Sequence, residues 1–333
     1  MVGGVGEPMD VLRSWAVQDS PPGAATAALV ARCSEVPVGW LDRAVYEERT
    51  VVALYNPRTA TAIVPAEEAA AFGTAFLPDD DAGLKAIVGS AVPEQDEGFA
   101  EPVALAVDAV SDALDGVTLS RNDLHEALRQ RLPVDLLPWC PGCKSHHARR
   151  GLLVMAGLHG RLCIAGRAGR QPAFARTDQL VGWDAPPREK AGAELVRRYR
   201  GTYGGSTHTH FAVWAGIGKA HARALWALTD EIAAPVAPRD VCLLAPGDPI
   251  LLGRDREALI ADPALRKKVW AAIGGAGVVL SHGEPVALWR ARKKGERLEI
   301  ALEGFGEVPD LTSEAERLAA HRGCTRVVIH PGG

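Results

Sequence analysis

No stretch of this chain approaches the roughly 18 consecutive apolar residues of a membrane-spanning helix. Its opening, "MVGGVGEPMD", has neither the basic start nor the apolar run of a secretory signal. No membrane partner is expected, and the composition is that of a cytoplasmic protein. Six cysteines among 333 residues are too sparse for a disulfide scaffold. Thiols are expected, and Cys33, Cys163, Cys242 and Cys324, each in apolar surroundings, read as small buried residues. Aromatics make up only 5% of the chain, and Trp139, Trp214, Trp226 and Trp289 read as core residues on element faces rather than as stacking platforms for bases. An excess of positive charge is also missing. The net charge of −4 argues against a uniformly basic nucleic-acid binder, whose affinity would come from Lys and Arg neutralising phosphates. No short-period repeat is visible.

What is present is charge that is segregated. Lys144, Arg149, Arg150, Arg161, Arg167, Arg170 and Arg176 fall in one stretch with no acidic residue between Lys144 and Arg176. Arg290, Arg292, Lys293, Lys294 and Arg297 form a second cluster in "WRARKKGER", and the acids gather in "PDDD" and "PEQDEGFAEP". One positive face on an acidic body is the expectation, with Lys144, His147, Arg150, Arg161, Arg167, Arg170, Arg292, Lys293 and Lys294 as candidate contacts to a phosphate backbone. The plain alternative is solvated charge without a partner.

Hydrophobic residues at 47% and charged residues at 23% are ordinary for a globular protein, and the length allows two to three domains. "VALAVDAVSDALDG" has helical periodicity and stops at Gly116. Ser120, with Asp123 three residues on, is a helix-start signature for "RNDLHEALRQRL", which Pro133 ends. "SHHARRGLLVMAGLHG" makes a third helix, and "RLCIAGRAGRQPAFAR" alternates like two strands around a Gly- and Arg-rich hairpin. Three helices and a basic hairpin have the order of a winged helix, in which the third helix commonly enters a groove and the wing follows the backbone. A similar helical unit starts at "EKAGAELVRRYRGTYGG". "GVVLSHGEPVALWRARKKGERLEIALEGF" reads as a three-stranded meander turning at His282-Gly283 and Lys294-Gly295, followed by a helix, "SEAERLAAHRG", and a strand, "TRVVIHP". The expected class is α+β, with tandem winged-helix modules and a β-rich C-terminal part. The expected divisions are 1–98, a winged-helix-like module; 99–178, a winged helix with a basic wing; 179–235, a third helical module; and 236–333, the β-rich part.

Two constellations carry chemistry. In "SWAVQDSPPGAATAALVAR", Gln18, Asp19 and Ser20 occupy a corner stiffened by two prolines between apolar helical stretches. In extended chain, residues two apart point the same way, so Gln18 and Ser20 share a face and Asp19 points off it. In "WCPGCKSHHARR", Cys140, Cys143, His146 and His147 fall within eight residues. No second Cys-x-x-Cys or spaced histidine pair completes a finger, so these side chains are taken to shape the start of the third helix, with a metal knuckle of Cys140, Cys143 and His146 as the alternative. No cofactor is expected.

Taken in order, "VQDSPPGAATAALVAR", "YNPRTATAIVPAEEAAAF", "AELVRRYRGTYGGSTHTHFAVWAGI", "CLLAPGDPILLGRDREALI" and "VWAAIGGAGVVLSHGEPVALWRARKKG" resemble the winged-helix DNA-binding superfamily that includes the AlkZ- and YcaQ-like DNA glycosylases. The resemblance spans nearly the whole chain. It implies duplex DNA as partner, alkylated purines as the bases removed, no obligate protein partner and a nucleoid-associated location. It also implies that the corner faces the lesion, with Gln18 on the family's first polar position and Ser20 where the family has a second glutamine or an aspartate, so that the catalytic candidates are Gln18, Ser20 and Asp19. Ala62 stands where the family often has histidine. Two functions stand nearly level on the sequence, a monofunctional glycosylase hydrolysing the N-glycosidic bond of alkylated purines and a winged-helix protein that binds DNA without cutting that bond; a third, a general cytosolic protein whose polar corner is a plain loop, also stays open.

Overall fold

The computed structural model describes residues 6–14, 17–93, 97–169, 171–234, 236–253 and 255–331. The chain forms two compact units, Met1–Leu41 with Ala234–Gly333, and Asp42–Ala233. None of the described helices is long and apolar enough to cross a membrane.

The first unit opens with α1 (Pro8–Ser14), β1 (Val17–Gln18) and α2 (Ala24–Val30). α3 (Trp40–Tyr46) then leads into the second unit, whose hairpin of β2 (Val51–Tyr55) and β3 (Thr61–Pro65) is followed by α4 (Ala69–Phe76) and α5 (Asp81–Val88). α6 (Ala100–Ala113) buries Val103, Ala106, Val107 and Val110, the spacing of one helix face. β4 (Leu119–Ser120) leads into α7 (Arg121–Arg129), where the Ser120 hydroxyl accepts from the Asp123 amide at 3.2 Å, as the sequence signature implies. A short hairpin of β5 (Trp139–Cys140) and β6 (Ser145–His146) precedes α8 (Arg150–Leu158), and then come β7 (Cys163–Ala168) and β8 (Gln171–Ala175). Within the unit the sheet runs β3-β2-β7-β8-β4. α9 (Thr177–Val181), α10 (Arg188–Thr202), α11 (His208–Ala215) and α12 (Lys219–Trp226) complete the unit. Tyr199 of α10 packs its ring 5.0 Å from those of both Phe211 and Trp214.

The chain then returns to the first unit through β9 (Val241–Leu244), α13 (Pro249–Leu252), α14 (Arg256–Leu259) and α15 (Pro263–Val269). β10 (Gly277–Ser281), β11 (Glu284–Lys294) and β12 (Arg297–Gly304) form the expected meander, and α16 (Thr312–His321) leads to β13 (Arg326–His330), giving a sheet of order β13-β12-β11-β10-β9. His282 and Gly283 both have positive φ (51° and 85°), the pair of conformations a two-residue hairpin turn needs.

The mixed α+β class and the β-rich C-terminal sheet agree with the sequence reading. The unit division differs from a module at 1–98. Residues up to Leu41 belong with the C-terminal sheet because α2 is gripped from there: Arg317 of α16 donates to the carbonyls of Val30 and Cys33 at 3.2 and 2.6 Å. The third helix also departs from expectation. α8 starts at Arg150 instead of Ser145, since residues 145–146 pair as a strand with Trp139 and Cys140. Every residue of α8 from Gly151 to Leu158 is buried, and a Cβ on Gly151 would lie 2.7 Å from the Val88 carbonyl oxygen. A helix enclosed in this way cannot enter a DNA groove. The expectation that it does is corrected, and at its N-terminus Arg149 and Arg150 reach the surface.

Candidate functional site

The corner at residues 19–23 is held by its own side chains. Asp19 Oδ1 accepts from the amides of Gly23 (2.8 Å) and Ala25 (3.1 Å), satisfying donors at the start of α2 that the helix itself leaves unpaired. Gly23 has φ of +87°, a conformation that favours glycine. Gln18 and Asp19 are half-buried and Ser20 is exposed. The Gln18 Nε2 donates to the Ser20 carbonyl at 2.9 Å, which fixes which half of the amide is the donor.

Beneath the corner lies the loop after β9. Gly247 has φ of +85°, and a Cβ there would stand 2.6 Å from the Ser20 carbonyl oxygen and 3.4 Å from Ala24 Cβ. The next residue, Asp248, is fully buried and grips Arg32, itself buried, through two parallel hydrogen bonds of 2.8 and 2.9 Å. Asp248 Oδ1 also accepts from the Ile250 amide at 2.9 Å, capping α13. This platform was not assigned a role from the sequence. Its signals were there: an arginine closing the apolar run "AATAALVAR", and an Asp-Pro pair opening "ILL".

The candidate DNA contacts divide into two groups. Lys144 is exposed on the turn of the β5–β6 hairpin, Arg167 is exposed on β7 near the hairpin tip, and Arg292 is exposed on β11. Arg150, also exposed, lies over the Tyr55 ring at 5.7 Å. The others are engaged within the protein. Arg161 pairs with Asp178, which also holds Arg176 at 2.6 Å. Although burial raises the Asp178 pKa, the hydrogen bond from Arg176 and the charge of Arg161 hold it below the usual carboxylate range. Lys293 Nζ donates to the Arg322 carbonyl at 2.6 Å just past α16, and Lys294 and Arg297 both reach Glu299, each at 2.6 Å. The two basic clusters thus carry much of their own counter-charge, which spacing along the chain does not reveal. Arg170 lies outside the described residues.

Around "CPGC", Cys140 Sγ, Cys143 Sγ and a His147 ring nitrogen all lie within 4.8 Å of one another. His147, not His146, joins the cysteines: His146 Nδ1 lies 2.8 Å from the Leu137 carbonyl oxygen. The Cys143 amide, with the His147 imidazole and the Cys143 thiol, lowers the Cys140 pKa to about 7. Cys33, Cys163, Cys242 and Cys324 are buried, as expected, and burial pushes the Cys33 and Cys163 thiols up to about 11. Trp289 is core, its Nε1 donating to the Leu244 carbonyl at 2.9 Å. Trp139 corrects the reading of the tryptophans as core: it is 51% exposed, with its edge toward His146.

The mixed α+β fold, with its helical unit and its β-rich C-terminal sheet, and the polar corner coincide with a family match: the family model "DNA glycosylase AlkZ-like" covers residues 11–321, and the chain belongs to that family of DNA glycosylases. The structure is similar to that of Streptomyces sahachiroi DNA glycosylase AlkZ, with a TM-score of 0.72 at 20% sequence identity over 98% of this chain and 94% of that one. No curated protein matches the chain significantly by sequence.

Proposed function

We propose that this glycosylase removes cationic, alkylated purines from duplex DNA, with Gln18 as the catalytic residue that orients water and the Ser20 hydroxyl beside it. The carrying observation is the arrangement of the corner: a half-buried amide, fixed by the Ser20 carbonyl, on a turn tied down by Asp19 and backed by Gly247. A purine alkylated at N7 or N3 already bears positive charge. When the bond from C1′ to the base breaks, the electron pair neutralises the base, and no acid is needed to make it leave. Water adds its oxygen to C1′ and gives its proton to solvent, leaving an abasic site. The protein's task is to place that water and to favour positive charge on the sugar. With Nε2 donating to Ser20, Oε1 is the acceptor half of the Gln18 amide and the atom suited to hold the water. Asp19, bound to two amides, acts as a positioning residue and contributes a fixed negative charge nearby.

We read α6, β4, α7, α8 and the β7–β8 hairpin as a winged helix whose third helix has been internalised. The proposed DNA contacts are then Arg167, Lys144, Arg150 and Arg292, with Arg170 retained from the sequence reading alone. Arg161, Lys293 and Lys294 set the shape of these surfaces. Ala62, buried on β3, favours a second reading in which DNA is bound but not cleaved, since no imidazole is available at that position. Duplex DNA carrying N7-methylguanine, incubated with the protein and then treated with alkali, separates the two. Strand breaks support the glycosylase, and binding without breaks supports the second reading.

A further inference from the structure

The β5–β6 hairpin carries a constellation that the glycosylase reading does not use. Its strands pair Trp139 with His146 and Cys140 with Ser145, so the Pro141-Gly142 turn brings Cys143 back beside Cys140. His147 approaches the two sulfurs from the chain leading into α8. Its Nδ1 lies 2.9 Å from the Ala148 carbonyl oxygen. A carbonyl can only accept, so Nδ1 carries the proton and the lone pair is on Nε2. That Nε2 is buried, and no nitrogen or oxygen among the described residues hydrogen-bonds to it. The His125 ring lies against the imidazole, with centroids 4.4 Å apart and planes tilted by 36°.

The geometry points to a structural zinc site formed by Cys140 Sγ, Cys143 Sγ and His147 Nε2, with a water molecule as fourth donor on the exposed Cys143 side. Two sulfurs and one imidazole form a soft donor set that suits Zn²⁺ and not Mg²⁺ or Ca²⁺. Around a tetrahedral zinc with bonds of about 2.0–2.3 Å, neighbouring donors stand roughly 3.3–3.8 Å apart, so a group within 4.8 Å closes by small side-chain rotations. On binding, the two thiols release their protons to solvent and the two thiolates neutralise the ion. The Ala148 carbonyl then serves as the outer partner that fixes the imidazole tautomer, as is usual for metal-bound histidine. A disulfide between Cys140 and Cys143 would leave the buried His147 nitrogen without a role. Zinc would tie the hairpin that presents Lys144 to the start of α8, where Arg150 emerges.

The test is metal content of the full chain purified without chelator, with a cobalt(II)-loaded sample as a second measurement. About one zinc per chain is expected. His147→Ala and Cys143→Ser should lose it, and His146→Ala should keep it. Cobalt should give sulfur-to-metal charge-transfer absorption in the wild type and in His146→Ala, but not in His147→Ala. The assignment is overturned if the wild type takes up neither metal, if His147→Ala retains zinc, or if His146→Ala loses it. Since the cobalt spectrum of the wild type requires no mutant to fold, a failed variant leaves the proposal testable.

Discussion

The buried pair of Arg32 and Asp248 supports the corner from below, and its removal has a calculable consequence. Asp248→Ala leaves the Arg32 guanidinium, only 2% exposed, without its carboxylate. Uncompensated buried charge of this kind costs about 3–5 kcal/mol. The same substitution removes the acceptor for the Ile250 amide, a cap worth about 1 kcal/mol, and since the two losses share one side chain a total of about 4 kcal/mol is expected. Hydrogen exchange of the amides in β10 and β11 reads the stability of this unit directly. A loss of about 4 kcal/mol corresponds to roughly 10³-fold faster exchange where exchange requires opening of the whole unit. The double variant Arg32→Met with Asp248→Leu removes both charges and keeps apolar volume, so its exchange should lie within about 10- to 30-fold of wild type. If the double variant exchanges as fast as Asp248→Ala, or if Asp248→Ala exchanges less than about tenfold faster than wild type, the pair is not what holds the platform.

Three further outcomes are expected. Arg167→Ala should flatten the log–log salt dependence of duplex affinity by about one unit, one phosphate contact, while Arg161→Ala, whose charge is spent on Asp178, should leave that slope unchanged in a filter-binding titration. Gly247→Ala puts a Cβ 2.6 Å from the Ser20 carbonyl oxygen at φ of +85°, and should lower thermal stability by about 1–3 kcal/mol and reduce any glycosylase activity more than it reduces DNA affinity. His221 has its pKa lowered by burial and by the Arg188 charge, so the fold holds it neutral while the unfolded chain takes up a proton as pH falls through the ordinary value of 6.5. Its contribution is present above that value and is lost below it, and His221→Leu should shrink the drop in melting temperature between about pH 7.5 and about pH 5.5.

Much of the fold was legible because local rules and tertiary structure agree. The Ser120 cap, the stop at Gly116, the hairpin from Cys163 to Ala175 and the turn at His282-Gly283 are all set by residues within a few positions of one another. The grouping of elements was not legible. What assigns α2 to the C-terminal sheet is contact across more than two hundred residues, from Arg32 to Asp248 and from Arg317 to Val30, and no periodicity encodes it. The burial of α8 was missed for a related reason. Its sequence is apolar on every side, which marks enclosure, whereas the winged-helix order of elements points to an exposed helix. At the corner, type and spacing single out Gln18 and Ser20 as candidates, whereas Asp19's bonds to Gly23 and Ala25 depend on the turn geometry. Among the basic residues, spacing showed the clusters, but only three dimensions show which charges Asp178 and Glu299 already answer.

The central claim is that Gln18 orients the water that releases a cationic purine. The direct measurement is single-turnover release of N7-methylguanine from duplex DNA by the wild type and by Gln18→Ala, with duplex affinity measured for both. A fall in the release rate of about 10- to 100-fold at unchanged affinity is the predicted result, because removing a group that only orients water costs that much while a neutral amide adds little to phosphate binding. Equal release rates for the two proteins, or no release by the wild type despite tight binding, would contradict the account.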